Sequence, residues 1–192
     1  RVNVTINGIP YNDAESQGTF WVNMPDFASS AESIQLQRGV GTSTNGAGAF
    51  GATMSISNLQ QMEKAGAEIT NSYGSFDTWK NNVRFGTGLI NGKFAFDGRL
   101  SRIKSDGYID RAFSDLKSMY FTGGYYGDKT SVKFVTFSGK EQTYQAWYGI
   151  SEADLQAGNR KVNYAGTEKP GEPYDNETDN YQQDHYQLFF NQ

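Results

Sequence analysis

The sequence predicts a mainly β protein: a short Gly-punctuated region, then long antiparallel up-and-down strands belonging to a large transmembrane β-barrel. Three observations carry this. Apolar residues make up 36% of the chain and aromatics 15%, with 13 Phe, 12 Tyr and 3 Trp. Disordered chains lack aromatics, so low apolar content joined to many rings suits strands that are apolar on one face only. Apolar and polar residues alternate over long stretches, and tight turns alternate with longer loops along the chain.

Residues 1–57 are compact in grammar. "VNVTINGIPYN" reads as a strand with Val2, Val4 and Ile6 on one face, an Asn7-Gly8 turn, then Pro10. "MPDFASSAESIQLQRG" offers a helical turn followed by Ile34 and Leu36 alternating with Gln35 and Gln37. "FGATMSI" is a further short strand.

From about residue 66 the strands lengthen. In "WKNNVRFGTGLI", Trp79, Val83, Phe85 and Leu89 share one face, and Lys80, Asn82, Arg84 and Gly86 the other. "KFAFDGRLSRIKS" sets Phe94, Phe96 and Leu100 against Asp97, Arg99 and Ser101. Asn91-Gly92 joins the two, a strong hairpin signal. "LKSMYFTGGYYG" and "TSVKFVTFSGKEQTYQAW" follow, joined at 127–129, and "HYQLFF" opens another strand. Longer loops are expected near 107–114 and 145–184. Strands of this length exceed the ~5–6 residues usual in soluble sheets and match the ~9–11 that cross a bilayer.

About five strands are expected over 58–192, whereas closed single-chain barrels begin at about eight. With an opening at Arg1 inside a strand pattern, the chain is expected to be a piece of a longer protein.

Composition removes several function classes. With no cysteine, thiolate metal sites, disulfides and Cys nucleophiles are absent, and the one histidine, His185, cannot build a multi-His site. A net charge of −4 gives no electrostatic footprint for nucleic acid. No Ser-His-Asp arrangement is legible, so no enzyme and no cofactor are expected. "GAGAFG" (46–51) has dinucleotide-loop spacing, but "ATMSI" after it reads as a strand where that motif needs a helix.

The ordered segments "INGIP" (6–10), "ESIQLQRG" (32–39) and "GAGAFGATMSI" (46–56), followed by long alternating strands, resemble the TonB-dependent outer-membrane receptors. Asn7 stands where that family's turn more often has Asp, and Val40 replaces the usual Pro. The lack of a Lys-Asp pair in "IQLQRGVGTSTNGAGAFG" sets the chain nearer the siderophore and ferric-citrate receptors than the SusC-like glycan importers. The resemblance implies that 1–57 are the C-terminal part of a plug domain and 58–192 the first barrel strands. It implies uptake of a scarce ligand such as a ferric chelate across the outer membrane of a Gram-negative bacterium, driven by TonB through a segment absent from this chain, with outer-membrane lipid as surroundings.

The resemblance also implies that Arg38 and Gly39 dock the plug on the barrel wall. Tyr11, Asn12 and Asp13 are candidate ligand contacts on a plug loop. Arg84 and Arg99 are candidate lumenal contacts that draw an anionic chelate, although a lumen charge pairs more readily with a plug residue. Arg102 and Lys104 share phase with Leu100 and are expected to mark the edge of the lipid band. The stretch 145–184, with eight carboxylates against three bases, reads as a solvated external loop. The alternative is a soluble β-rich module binding carbohydrate or another ligand through surface Tyr and Trp.

Overall fold

The computed structural model describes residues 2–40, 48–58, 61–168 and 173–192. The chain forms two units: Arg1–Val22 with Phe27–Gln61, and Asn23–Asp26 with Met62–Gln192.

The first unit is a four-stranded sheet in the order β2-β1-β4-β3. The strands are β1 (Val2–Ile6), β2 (Ile9–Pro10), β3 (Ala31–Arg38) and β4 (Ala52–Asn58). Asn7 and Gly8 take φ of 54° and 79°, the left-handed pair that turns β1 back onto β2. β1 lies parallel to β4, with Ile6 opposite Ile56, and β3 lies antiparallel to β4. Val4, Ile6 and Ile56 are buried, whereas Ile34 and Leu36 of β3 are exposed. The Gly-rich segment falls partly outside the described residues. Beyond it the chain runs as β4, a strand, which removes the helix a nucleotide loop needs.

The second unit is a six-stranded antiparallel meander, ordered β10-β9-β8-β7-β6-β5. Its strands are β5 (Lys64–Gly74), β6 (Thr78–Gly88), β7 (Phe94–Ser105), β8 (Ser114–Tyr126), β9 (Ser131–Tyr144) and β10 (Thr178–Asn191). They run 11 to 14 residues. The β6–β7 hairpin turns at Asn91 and Gly92, φ 50° and 68°.

Two sequence expectations need correction. Among the described residues there are six long strands rather than about five, because "KAGAEITNSYG" forms β5. Every residue of β5 is exposed, and its small side chains hide the alternation from a hydropathy reading. The last loop is shorter than 145–184: β10 starts at Thr178, since "TDNYQQD" pairs residue by residue with β9 despite carrying almost no apolar signal.

The two faces of this sheet reverse the pattern of a water-soluble one. Phe85, Phe94, Phe96, Leu100, Leu188 and Phe190 stand exposed on one face. The opposite face buries Asp97, Arg99, Ser101, Thr122 and Glu141. Each large apolar side chain left in water forfeits about 1.5–3 kcal/mol. Glycines smooth the exposed face: Phe85 lies over Gly98 and Phe96 over Gly123, their cross-strand partners, where a Cβ would strike the rings.

Candidate functional site

The buried face of the second unit is built as rows of cross-strand partners. Arg84, Arg99, Tyr120, Phe137 and His185 lie directly opposite one another across β6 to β10. Like charges set opposite repel, so the Arg84–Arg99 pair needs a nearby anion.

Asp26 supplies one. It closes the segment Asn23–Asp26, takes a φ of 53° that Asp tolerates, and lies with its side chain 7% exposed. Lys80 Nζ donates to its Oδ1 at 2.6 Å, and Arg99 Nη1 donates to Oδ2 at 3.1 Å. The Ser101 hydroxyl donates to the same Oδ2. Arg99 Nη2 is engaged by Ser118 Oγ at 2.5 Å. Arg99 is 1% exposed, so its charge is desolvated and held by the carboxylate it meets.

Gly139 lets the segment approach. A Cβ there would lie 2.6 Å from Pro25 Cδ and 2.8 Å from the Asn23 carbonyl oxygen. Elsewhere on this face Asp97 Oδ1 accepts from the Met62 amide at 2.9 Å. Glu141 is 1% exposed, and its Oε2 has no hydrogen-bond partner among the described residues.

Arg99 therefore stands within an ion-pair network with Asp26 and Lys80. Arg84 is half-buried on the same face, opposite Glu68 of β5. Asn12 and the Oδ1 atom of Asp13, in the first unit, are bonded to nearby backbone. Asn12 Oδ1 accepts from the Val4 amide at 2.7 Å, and Nδ2 donates to the Val2 and Gln17 carbonyls. Asp13 Oδ1 accepts from the Ser16 amide at 2.7 Å and the Glu15 amide at 3.1 Å, closing a tight turn. The Ser16 amide and hydroxyl, with the Glu15 amide, hold the Asp13 carboxyl below the usual carboxylate range. Tyr11 stacks on Trp21 at 6.5 Å. Arg38 is the last, exposed residue of β3, and Gly39 follows with a φ of 81°.

Two features went unseen in the sequence. One is Asp26, hidden in a "MPDF" that reads as a turn. Its signal is the surplus of cations on the inner faces of β6 and β7, which demands an acid from elsewhere. The other is the anchoring of the described part of the 145–177 excursion. Arg111 Nη2 donates to the Asn163 and Ala165 carbonyls at 2.7 and 2.9 Å, and Asn163 Nδ2 donates to those of Asp110 and Gln145. The excursion exposes Trp147, which stacks on Tyr148 at 4.3 Å.

The excursion also contains α1 (Glu152–Gln156), capped by Ser151 and Asp154 in a reciprocal box. The Ser151 and Tyr164 hydroxyls hold the Asp154 carboxyl below its ordinary range. A depressed carboxyl adds stability above its unfolded pKa and loses it as pH falls through the lower folded value. Pepsin cleavage at Leu155 is expected to rise steeply only once the pH drops through that lower value. Asp154→Asn should cleave readily at every pH tested, and a flat wild-type profile would count against the cap.

No family model and no curated protein matches the chain. Solved structures do. The ferric-catecholate import receptor Fiu from Escherichia coli aligns with a TM-score of 0.70 at 15% identity, over 98% of this chain and 28% of that one. FpvA of Pseudomonas aeruginosa, bound to a heterologous ferric pyoverdine, aligns with a TM-score of 0.67 at 14% identity, over 98% and 24%. The ferric yersiniabactin uptake receptor FyuA from Yersinia pestis gives 0.59 at 16%, over 76% and 24%. This chain spans about a quarter of the length of those structures. At such identities the likeness is one of fold alone, shared with about a quarter of each of these receptors.

Proposed function

We propose that this chain is a segment of a TonB-dependent siderophore receptor, which imports a ferric chelate across the outer membrane. On this reading residues 1–57 are the end of the plug and the six long strands are barrel wall. The observation that carries it is the inverted sheet, with rings and leucines on the exposed face and Arg99, Asp97 and Glu141 buried on the other. A soluble module would leave that apolar face in water at the cost given above, which disfavours the carbohydrate-binding alternative.

Within the proposal Asp26, Lys80 and Arg99 fix a plug segment against the wall, making Arg99 a positioning residue and not a ligand contact. Arg38 and Gly39 are proposed to dock the plug, as the resemblance implies. Arg84 and Tyr11 remain proposed ligand contacts, together with the Trp147–Tyr148 stack on the external side. Asn12 and Asp13 are proposed to shape the loop that presents Tyr11. TonB acts through a part of the receptor outside this chain, outer-membrane lipid covers the exposed face, and no catalytic role is assigned.

The test is growth of a strain deleted for the encoding gene, supplied with one iron source at a time. Loss of growth on a single ferric chelate, restored by the gene, is the expected result. Unimpaired growth on every ferric chelate, with failure on cobalamin or a glycan instead, would overturn the siderophore assignment.

A further inference from the structure

The exposed face of the meander is not apolar throughout. One step towards the 106–113 and 145–177 loops from the Val83, Leu100 and Met119 row, the register brings Arg102, Lys117 and Lys140 directly opposite one another on β7, β8 and β9. Adjacent strands lie about 4.8 Å apart, so three cations sit within roughly 10 Å. Lys104 follows in the next row.

Side by side, like charges destabilise a sheet, and little on this face relieves them. Asp115 is taken up by Arg102, which donates Nε to Oδ1 at 2.9 Å and Nη2 to Oδ2 at 2.7 Å. Asp184 lies one row nearer the apolar band and accepts from Gln182 Nε2 at 3.1 Å. Among the described residues Lys117 and Lys140 form no ion pair. They border an open groove of about 500 Å³ whose other side is Leu100 and Met119. The groove thus offers cations on one side and hydrocarbon contact on the other.

Resting on the barrel reading above, we propose that Arg102, Lys117 and Lys140 bind the phosphate-bearing headgroup of an outer-leaflet lipid, whose acyl chain lies along Leu100 and Met119. Direction follows from the connections. The β6–β7 and β8–β9 links at the other end are tight turns, whereas two of the three connections beyond this row, 106–113 and 145–177, are long (β5–β6 turns tightly at 75–77), and long loops are the external ones in such barrels. Charge complementarity selects the occupant: with Arg102 already facing Asp115, a zwitterionic headgroup would leave the Lys117 and Lys140 charges unmet. Trp79, packed with Tyr73 at 4.6 Å one row further out, provides the aromatic girdle at the same level.

The experiment uses the full-length receptor that contains this segment. It is reconstituted in vesicles of phosphatidylcholine alone or of phosphatidylcholine with diphosphorylated lipid A, and native mass spectrometry counts the lipids retained. Preferential retention of lipid A is expected, falling about fivefold for each cation removed in Lys117→Gln and Lys140→Gln. Inorganic phosphate at matched concentration should not displace the lipid. Release by phosphate would make this a free-phosphate site and overturn the lipid assignment. Equal retention of both lipids by a receptor that has inserted as a heat-resistant β-barrel, or an undiminished preference in the double variant, would overturn the site but leave the barrel standing. A receptor that does not insert in either vesicle would overturn the barrel reading and this inference with it.

Discussion

Replacing Asp26 by Ala is expected to destabilise the second unit by about 3–5 kcal/mol, the usual consequence of leaving a buried partner charge uncompensated. Arg99 cannot swing into water: it is 1% exposed, and its other nitrogen is tied to Ser118. Lys80, with 31% of its side chain accessible, can turn outward and contributes less to the loss. The decisive comparison adds Arg99→Met to the variant. If the penalty is the stranded guanidinium, the double variant recovers most of the stability, because an apolar isostere removes the desolvation problem altogether. Differential scanning calorimetry in detergent would read both. A thermal midpoint unmoved by Asp26→Ala would show that the carboxylate does not hold this network together.

Gly139→Val is expected to have the second large effect, by a steric route. The new Cβ would fall 2.6 Å from Pro25 Cδ and 2.8 Å from the Asn23 carbonyl oxygen, one a ring and the other backbone, so the segment must lift off β9. Overpacking of this kind costs about 1–3 kcal/mol. Because the chain has no cysteine, Met24→Cys offers a clean reporter. Met24 is 6% exposed, so thiol labelling at this position should be slow in the Met24→Cys variant alone. Adding Gly139→Val in the same background should make it about tenfold faster. Equal labelling rates would mean that the approach through Gly139 is not what seats the segment.

How much of this was legible in the sequence depended on what each residue contributes to hydropathy. β6 and β7 declared themselves, since Trp79, Val83, Phe85, Phe94, Phe96 and Leu100 alternate with polar or small partners around an Asn-Gly turn. β5 did not, because Ala65, Ala67 and Gly66 give little contrast between faces and only backbone pairing to β6 defines it. The first half of β10 is polar on both faces, so no period could reveal it. At the site the cations were visible and their sign was the clue. Asp26 was not, because its role comes from a left-handed backbone and from a partner, Arg99, 73 residues away in the chain. The clamp at Arg111 was equally hidden, as carbonyl acceptors carry no residue identity.

Among the described residues the outer strands of the meander each keep one flank unclaimed: β5 pairs with β6 alone, and β10 with β9 alone. Along those flanks run amides and carbonyls that hydrocarbon cannot solvate, at a penalty of several kcal/mol apiece. On the barrel reading proposed above, the wall cannot enter a bilayer strand by strand. On that reading insertion and closure have to proceed together, with both flanks zipped to neighbours before the backbone leaves water, and a stalled half-sheet would seek edge partners of its own kind.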